Sequence, residues 1–114
     1  MVEGVTLIEY ADFEKLDLRV AEIQNVEDIP GADKLYKLNI SVGDESRTIC
    51  AGIKEHYTKE ELQGKKIIVL TNLKPRKLKG IESQGMLLAA SNPDHTTISL
   101  IYPDQNMEPG STVS

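Results

Sequence analysis

Between residues 36 and 42 apolar side chains take every second position: Tyr36, Leu38, Ile40 and Val42 alternate with Lys37, Asn39 and Ser41. A period of two marks an extended strand with one face on a core and the other in water. Wound into a helix, the same residues would scatter their apolar groups around the axis. Gly43-Asp44 then supplies a hairpin turn. Arg47 to Ile53 reads as the return strand, with Ile49, Ala51 and Ile53 on one side. The chain is therefore expected to be built on antiparallel sheet.

The flanking segments extend this pattern. Upstream, Asp12 is expected to N-cap a short helix through Phe13-Glu14-Lys15-Leu16, with Phe13 and Leu16 on one face. From Leu18 a strand begins in which Leu18 and Val20 share one parity while Ala21 and Ile23 share the other, which predicts a bulge near Val20. Pro30-Gly31-Ala32-Asp33 is a turn. Downstream, Thr58-Lys59-Glu60-Glu61 is a capping-box pattern opening a helix of one or two turns that ends at Gly64. Lys65 to Leu73 is a fourth strand, apolar on both faces at Ile67 to Leu70 and so central or closed into a barrel. Met86 to Ala90 and Thr97 to Tyr102 are further strands around the Asn92-Pro93-Asp94 turn, and Thr112-Val113 ends the tail in extended form. Three strands, a short helix and then two strands is the order of the five-stranded OB-fold barrel, an all-β architecture. With 114 residues the chain has room for one core. Residues 1–114 are expected to form a single domain, its barrel at about 17–102, with 1–16 and 103–114 as a helical and a strand extension.

Composition removes several classes of function. Cys50 is the only cysteine and His56 and His95 the only histidines, which excludes an internal disulfide and offers no zinc-ligand spacing. No metal or cofactor is expected. Cys50 and His56 lack an acidic orienter and an oxyanion donor, so the chain does not read as an enzyme. No apolar run approaches the roughly 20 residues of a membrane-spanning helix, and the N-terminus lacks a signal-peptide pattern. A cytoplasmic protein without a membrane partner is the expectation.

The net charge of −5 opposes nucleic-acid binding on average, but it conceals an asymmetry. From Leu62 to Ile81 there are six basic residues, Lys65, Lys66, Lys74, Arg76, Lys77 and Lys79, and no acidic one. Subtracting those from the 13 basic and 18 acidic residues of the chain leaves 7 against 18 elsewhere. A concentrated positive segment on a negative body suits an anionic partner that docks in one orientation.

That segment continues as Asn72-Leu73-Lys74-Pro75-Arg76-Lys77-Leu78-Lys79-Gly80-Ile81-Glu82-Ser83-Gln84-Gly85-Met86. Pro75 biases Lys74 toward an extended conformation, so successive cations project instead of coiling. Gly80 and Gly85 permit positive φ and bracket Ser83 and Gln84, which can bond phosphate, sugar or base edges. The run resembles the signature of the tRNA-binding domain family, found at the C-terminus of many methionyl-tRNA synthetases, in free-standing structure-specific tRNA-binding proteins and in endothelial-monocyte-activating polypeptides. Asp17-Leu18-Arg19-Val20, Gly31-Ala32-Asp33-Lys34-Leu35-Tyr36 and Gly64-Lys65-Lys66 resemble further pieces of the family in the same order, so the likeness covers roughly Asp12 to Ser91.

The resemblance implies an OB fold that grips the outer corner of folded tRNA without chemistry of its own. It implies a methionyl-tRNA synthetase catalytic chain as partner and a homodimer joined through the terminal extensions. Carried over residue by residue, it places Asn72, Lys74, Lys77, Lys79, Ser83, Gln84 and Met86 at the RNA, with Arg76 in the same loop and Lys34 beside it. Two positions depart from the pattern. Lys79 stands where Arg is frequent, exchanging a planar fork for a point charge, and Ala21 stands where Gly is frequent. A related branch of the fold, chaperone-like peptide-binding dimers associated with secretion, resembles the Asp12 to Asp17 opening but not the Lys-Leu-Lys-Gly and Ser-Gln-Gly pieces. There is no Trp, Phe13 is the only Phe, and the basic loop contains no aromatic. Stacking platforms for single strands are therefore missing, which favours folded RNA read by shape and backbone.

The bland readings stand beside these. Tyr36 shares the parity of Leu38 and Ile40, which makes it a core ring with its hydroxyl at the rim. Met86 fits packing and RNA contact equally. Arg19 beside Asp17 reads as a structural ion pair.

Overall fold

In the computed structural model, which describes residues 4–114, one long strand organises the chain. The elements run α1 (Tyr10–Glu14), β1 (Leu18–Asp28), β2 (Tyr36–Val42), β3 (Glu45–Ala51), α2 (Lys59–Leu62), β4 (Lys66–Leu70), β5 (Arg76–Leu78), β6 (Ile81–Ser83), β7 (Met86–Leu87), β8 (Ala89–Ser91), β9 (Ile98–Leu100) and β10 (Thr112–Val113). β1 pairs antiparallel with β4 along one edge, from Leu18 opposite Leu70 to Glu22 opposite Lys66. Along its other edge it pairs with β2, from Glu22 opposite Ser41 to Asp28 opposite Tyr36. The sheet runs β3-β2-β1-β4-β7, with β10 joined to the start of β1. Strands dominate, and the curled sheet is consistent with an OB-like fold.

The parity change in β1 has a different cause from the expected bulge near Val20. Both faces of the strand are buried there. Ala21 and Ile23 enter the main core with Leu38, Ile40, Ile49, Leu62, Ile67 and Val69, whereas Leu18 and Val20 join Ile68 in a second layer under Phe13, Leu70, Leu88 and Val113. The register shift lies further on, between Ile23 and Asn25, and it returns Val26 to the main core. The two apolar faces of β4 have the same explanation: Ile67 and Val69 point into the main core and Ile68 into the outer layer. The terminal extensions are what cover that outer face.

The short helices follow local capping chemistry. At α2 the Thr58 Oγ1 accepts the Glu61 amide at 3.2 Å and Glu61 Oε1 accepts the Thr58 amide at 2.8 Å. The Thr58 backbone amide, then the Thr58 hydroxyl, holds the Glu61 carboxyl below the usual range. Leu62 from this helix is completely buried in the main core. At α1 the N-cap is Glu9, not Asp12. Asp12 lies in the first turn, where its carboxylate accepts the Glu9 amide at 3.2 Å, so an acidic residue is favourable there without being the cap itself. Tyr36 packs in the core at 5% exposure with its hydroxyl donating to the Tyr57 carbonyl at 2.9 Å.

The expected fifth strand, Met86 to Ala90, is broken at Leu88 into β7 and β8. Leu88 donates to the Ile68 carbonyl at 3.0 Å and accepts the Ile101 amide at 3.1 Å. The tail is tied down along the same side. Lys66 Nζ donates to Asn106 Oδ1 at 2.6 Å and to the Met107 carbonyl, Lys65 sits over the Tyr102 ring at 5.8 Å, and the Gly110 amide donates to the Val20 carbonyl at 2.7 Å.

The curl brings the outer edge of β3 to the connection between β6 and β7. The Thr48 amide donates to Gln84 Oε1 at 3.1 Å, the Gln84 amide to the Thr48 carbonyl at 2.8 Å and the Cys50 amide to Ser83 Oγ at 2.9 Å. Side chains thus satisfy edge donors that a ladder strand would otherwise take. Gly85 makes the approach possible: at φ 141° a Cβ would stand 2.9 Å from the Leu70 carbonyl oxygen and 3.2 Å from Val69 Cγ1. Gly85→Ala should destabilise the fold by about 2 kcal/mol or more, read as a lower midpoint in urea denaturation. A midpoint equal to wild type would contradict this packing.

Candidate nucleic-acid interface

The basic segment is not the open loop the proline and glycines suggested. Arg76 opposite Ser83, Lys77 opposite Glu82 and Leu78 opposite Ile81 make β5 and β6 a two-stranded hairpin. Its two-residue turn is Lys79-Gly80, with φ of 52° and 83°, the positive pair that a type I′ turn demands. Glycine accepts this geometry freely, whereas Lys79 adopts it at a steric cost. Strand alternation places Lys77 and Glu82 on one face. On the other, Leu78 and Ile81 are half-buried and Ser83 is buried, which seats the arm on the body. Lys79 stands at the tip.

One root of the arm is bonded to the residues just before β1, and both are bonded to β3. Asn72 Oδ1 accepts the Asp17 amide at 2.9 Å and its Nδ2 donates to the Lys15 carbonyl at 2.6 Å. The Thr71 amide donates to the Asp17 carbonyl at 2.9 Å and the Thr71 hydroxyl to the Asp17 carboxylate. Arg47 reaches from β3 to both roots at once, donating through Nη1 to the carbonyls of Thr71 and Gln84, while Glu45 accepts its Nε at 2.7 Å. Local pattern gave no sign of Arg47, because its role depends on the sheet register that brings β3 against residues far along the chain. Arg19 pairs with Asp17 at 2.9 Å and also donates to the Gly110 carbonyl at 3.1 Å, the structural role expected for it. The Thr71 hydroxyl, then the Arg19 guanidinium, holds the Asp17 carboxyl below its ordinary range, against partial burial.

The nine expected site residues separate into two groups. Lys34, Lys74, Arg76, Lys77, Lys79 and Met86 are exposed, and none of these five cations forms a salt bridge among the described residues, whereas Lys15, Arg19, Lys37, Arg47, Lys54 and Lys59 all do. Asn72, Ser83 and Gln84 instead spend polar groups on the fold. Ser83 is 6% exposed, and its hydroxyl accepts from Cys50 and donates to the Gly85 carbonyl at 3.1 Å. Lys34 comes from the loop before β2, not from the arm. Lys65 and Lys66, part of the same positive run in sequence, are engaged with the tail at the opposite end of β4. Lys37 was missed by sequence reasoning. It projects from the polar side of β2 and lines one groove with Thr48, Gly80, Ile81, Glu82 and Gln84. Its outward parity was readable, but not its nearness to the hairpin. Burial raises the Cys50 thiol, with Lys37 acting weakly in the other sense, so Cys50 is an unreactive thiol at neutral pH.

No group of three or more His, Cys, Asp or Glu side chains among the described residues is arranged to hold a metal ion. No helix among them is long and apolar enough to cross a membrane.

Comparison with known proteins places the chain in a family. The family model described as "Putative tRNA binding domain" matches residues 18–112. A methionine–tRNA ligase of Methanococcus aeolicus is 49% identical over 111 residues, 97% of this chain but 16% of the ligase. The chain therefore spans about one-sixth of the length of that relative. Among solved structures, a MetRS-related protein from Pyrococcus horikoshii superposes with a TM-score of 0.90 at 38% identity, covering 96% of this chain and all of the other. The CsaA chaperone protein from Picrophilus torridus follows at a TM-score of 0.86 and 37% identity, covering 95% of this chain and all of the other.

Because the Asp17 carboxyl is held below its unfolded value, its bonds stabilise the fold above the unfolded pKa and are lost as pH falls through the folded one. Wild type should lose stability more steeply than Asp17→Asn below about pH 4, measured by urea midpoints at successive pH values. Parallel curves would show that Asp17 does not link protonation to folding.

Proposed function

The chain belongs to the tRNA-binding domain family, and from that premise we propose that it holds folded tRNA by shape and backbone, without catalysis. The tRNA is offered to a methionyl-tRNA synthetase, of which this chain is an accessory subunit or a C-terminal domain, in the cytoplasm. The observation that carries the reading is the arm, where Lys74, Arg76, Lys77 and Lys79 are exposed and free of salt bridges among the described residues. Phosphate contact releases counterions from RNA and needs cations of this kind. Lys34, from the loop before β2, and Met86 are exposed and are assigned to the same RNA-binding surface, while Asn72, Ser83 and Gln84 fix the arm's roots. The sheet is read as an OB-type barrel in which β7 and β8 make a broken fifth strand and α2 plugs the end between β3 and β4. Tethering tRNA this way raises its effective concentration at the catalytic chain.

Two copies are proposed to act together. The apolar side chains of the N-terminal segment are turned to solvent, with Leu7 at 76% and Tyr10 at 72% exposure, and Ile101 and Tyr102 are exposed in the tail. Large apolar side chains turned to solvent in this number are what an interface would cover, and a two-fold dimer would present two arms to one RNA. The first three of residues 1–16 lie outside the described region. Sedimentation at micromolar concentration should give the dimer mass, and Leu7→Glu with Tyr10→Glu the monomer. A wild-type monomer would remove the dimer.

Likeness to CsaA supports a second reading, a chaperone-like dimer that binds unfolded peptide. The exposed cationic arm favours RNA. Changing Lys74, Lys77 and Lys79 to Ala should weaken tRNA binding and flatten its salt dependence by up to about one unit of slope per lost phosphate contact, with an unchanged denaturation midpoint. Filter binding that retains an unfolded polypeptide but not tRNA at low salt would reverse the choice.

A further inference from the structure

Beside the arm lies a groove whose chemistry differs from that of the cationic tip. It is lined by Lys37, Thr48, Gly80, Ile81, Glu82 and Gln84, between the polar side of β2–β3 and the hairpin. The Thr48 amide donates to Gln84 Oε1 at 3.1 Å, which fixes the amide group and leaves Nε2 as its outward atom, a donor without a bond among the described residues. Thr48 is itself held: its hydroxyl donates to Asn39 Oδ1 at 3.2 Å, and Asn39 Nδ2 donates to Glu27 Oε2 at 3.1 Å. The Thr48 oxygen therefore keeps its acceptor lone pairs without a donor among the described residues. Lys37 Nζ is restrained only by Glu27 at 3.8 Å, and the Glu82 carboxylate is exposed.

The groove thus offers donors from Gln84 and Lys37 and acceptors from Glu82 and Thr48. A phosphate, which only accepts and carries negative charge, is poorly matched to a wall containing Glu82. A ribose 2′-hydroxyl both donates and accepts and carries no charge. Resting on the RNA-binding reading, the geometry points to this groove as a ribose site: Gln84, Lys37 and Glu82 read the 2′-hydroxyl of a nucleotide whose flanking phosphates lie on the arm. Specificity for RNA over DNA is thereby separated from the cations that supply affinity. The Gln84 amide is fixed before binding, because the chain of bonds from Glu27 through Asn39 and Thr48 holds it in place.

The test compares an RNA hairpin with the same hairpin carrying 2′-O-methyl ribose, which keeps the A-form and the backbone charge but removes the hydroxyl proton. Wild-type protein should bind the unmodified hairpin on the order of tenfold more tightly. Glu82→Gln, at an exposed position, and Gln84→Glu, which retains an oxygen for the Thr48 amide, should each bring that ratio near one. Lys77→Ala should weaken both hairpins alike and leave the ratio standing. A wild-type ratio of one, or variants that keep the wild-type ratio, overturns the ribose site while leaving the RNA-binding reading intact. Failure of wild type to bind tRNA or either hairpin at low salt would remove that reading and the ribose site together.

Discussion

The structure depends on how the open edge of β3 is met. A curled sheet of this size leaves the amides of Thr48 and Cys50 without a neighbouring strand, and unpaired buried edge groups are costly. Here Ser83 Oγ and Gln84 Oε1 take those amides, and the missing side chain at Gly85 lets the segment come within reach. Arg47 adds a second tie, from β3 to the carbonyls at both ends of the arm. The same few residues therefore close the fold and aim the hairpin. Position of the cations is a consequence of closure, not a separate device.

This coupling explains how charge is distributed. A chain of net charge −5 offers an anion little general attraction. Six of its cations are paired with carboxylates on the body, and two more hold the tail. Of the five that remain, all but Lys34 lie on a small projection whose backbone is fixed at both roots. An acidic body around it disfavours polyanions arriving in other orientations.

Much of the fold was readable from residues alone, and the exceptions have physical causes. The alternation from Tyr36 to Val42, the Thr58 capping box and the doubly apolar Ile67 to Leu70 each reflect one local rule, and all three hold in the structure. The parity change at Val20 was ambiguous because a bulge and a strand buried on both faces leave the same mark on a sequence; only the outer layer of Phe13, Leu88 and Val113 distinguishes them. The β5–β6 hairpin was hidden because its turn uses lysine where glycine or asparagine usually announces positive φ. For the candidate interface, the cations were visible as a cluster in sequence. The structural engagement of Asn72 and Ser83, the bridging by Arg47 and the place of Lys37 were not, since each requires knowing which distant strand lies alongside.

The tail has one further implication. Val113 lies opposite Leu18, and Gly110 and Ser111 bond to Val20 between them, so the outer layer over the first strand is assembled from segments far apart in the sequence. During synthesis Leu18, Val20 and Ile68 lack the cover of Val113 until residues 110–113 have emerged from the ribosome. The nascent sheet accordingly passes through a stage in which that apolar stripe is only partly covered.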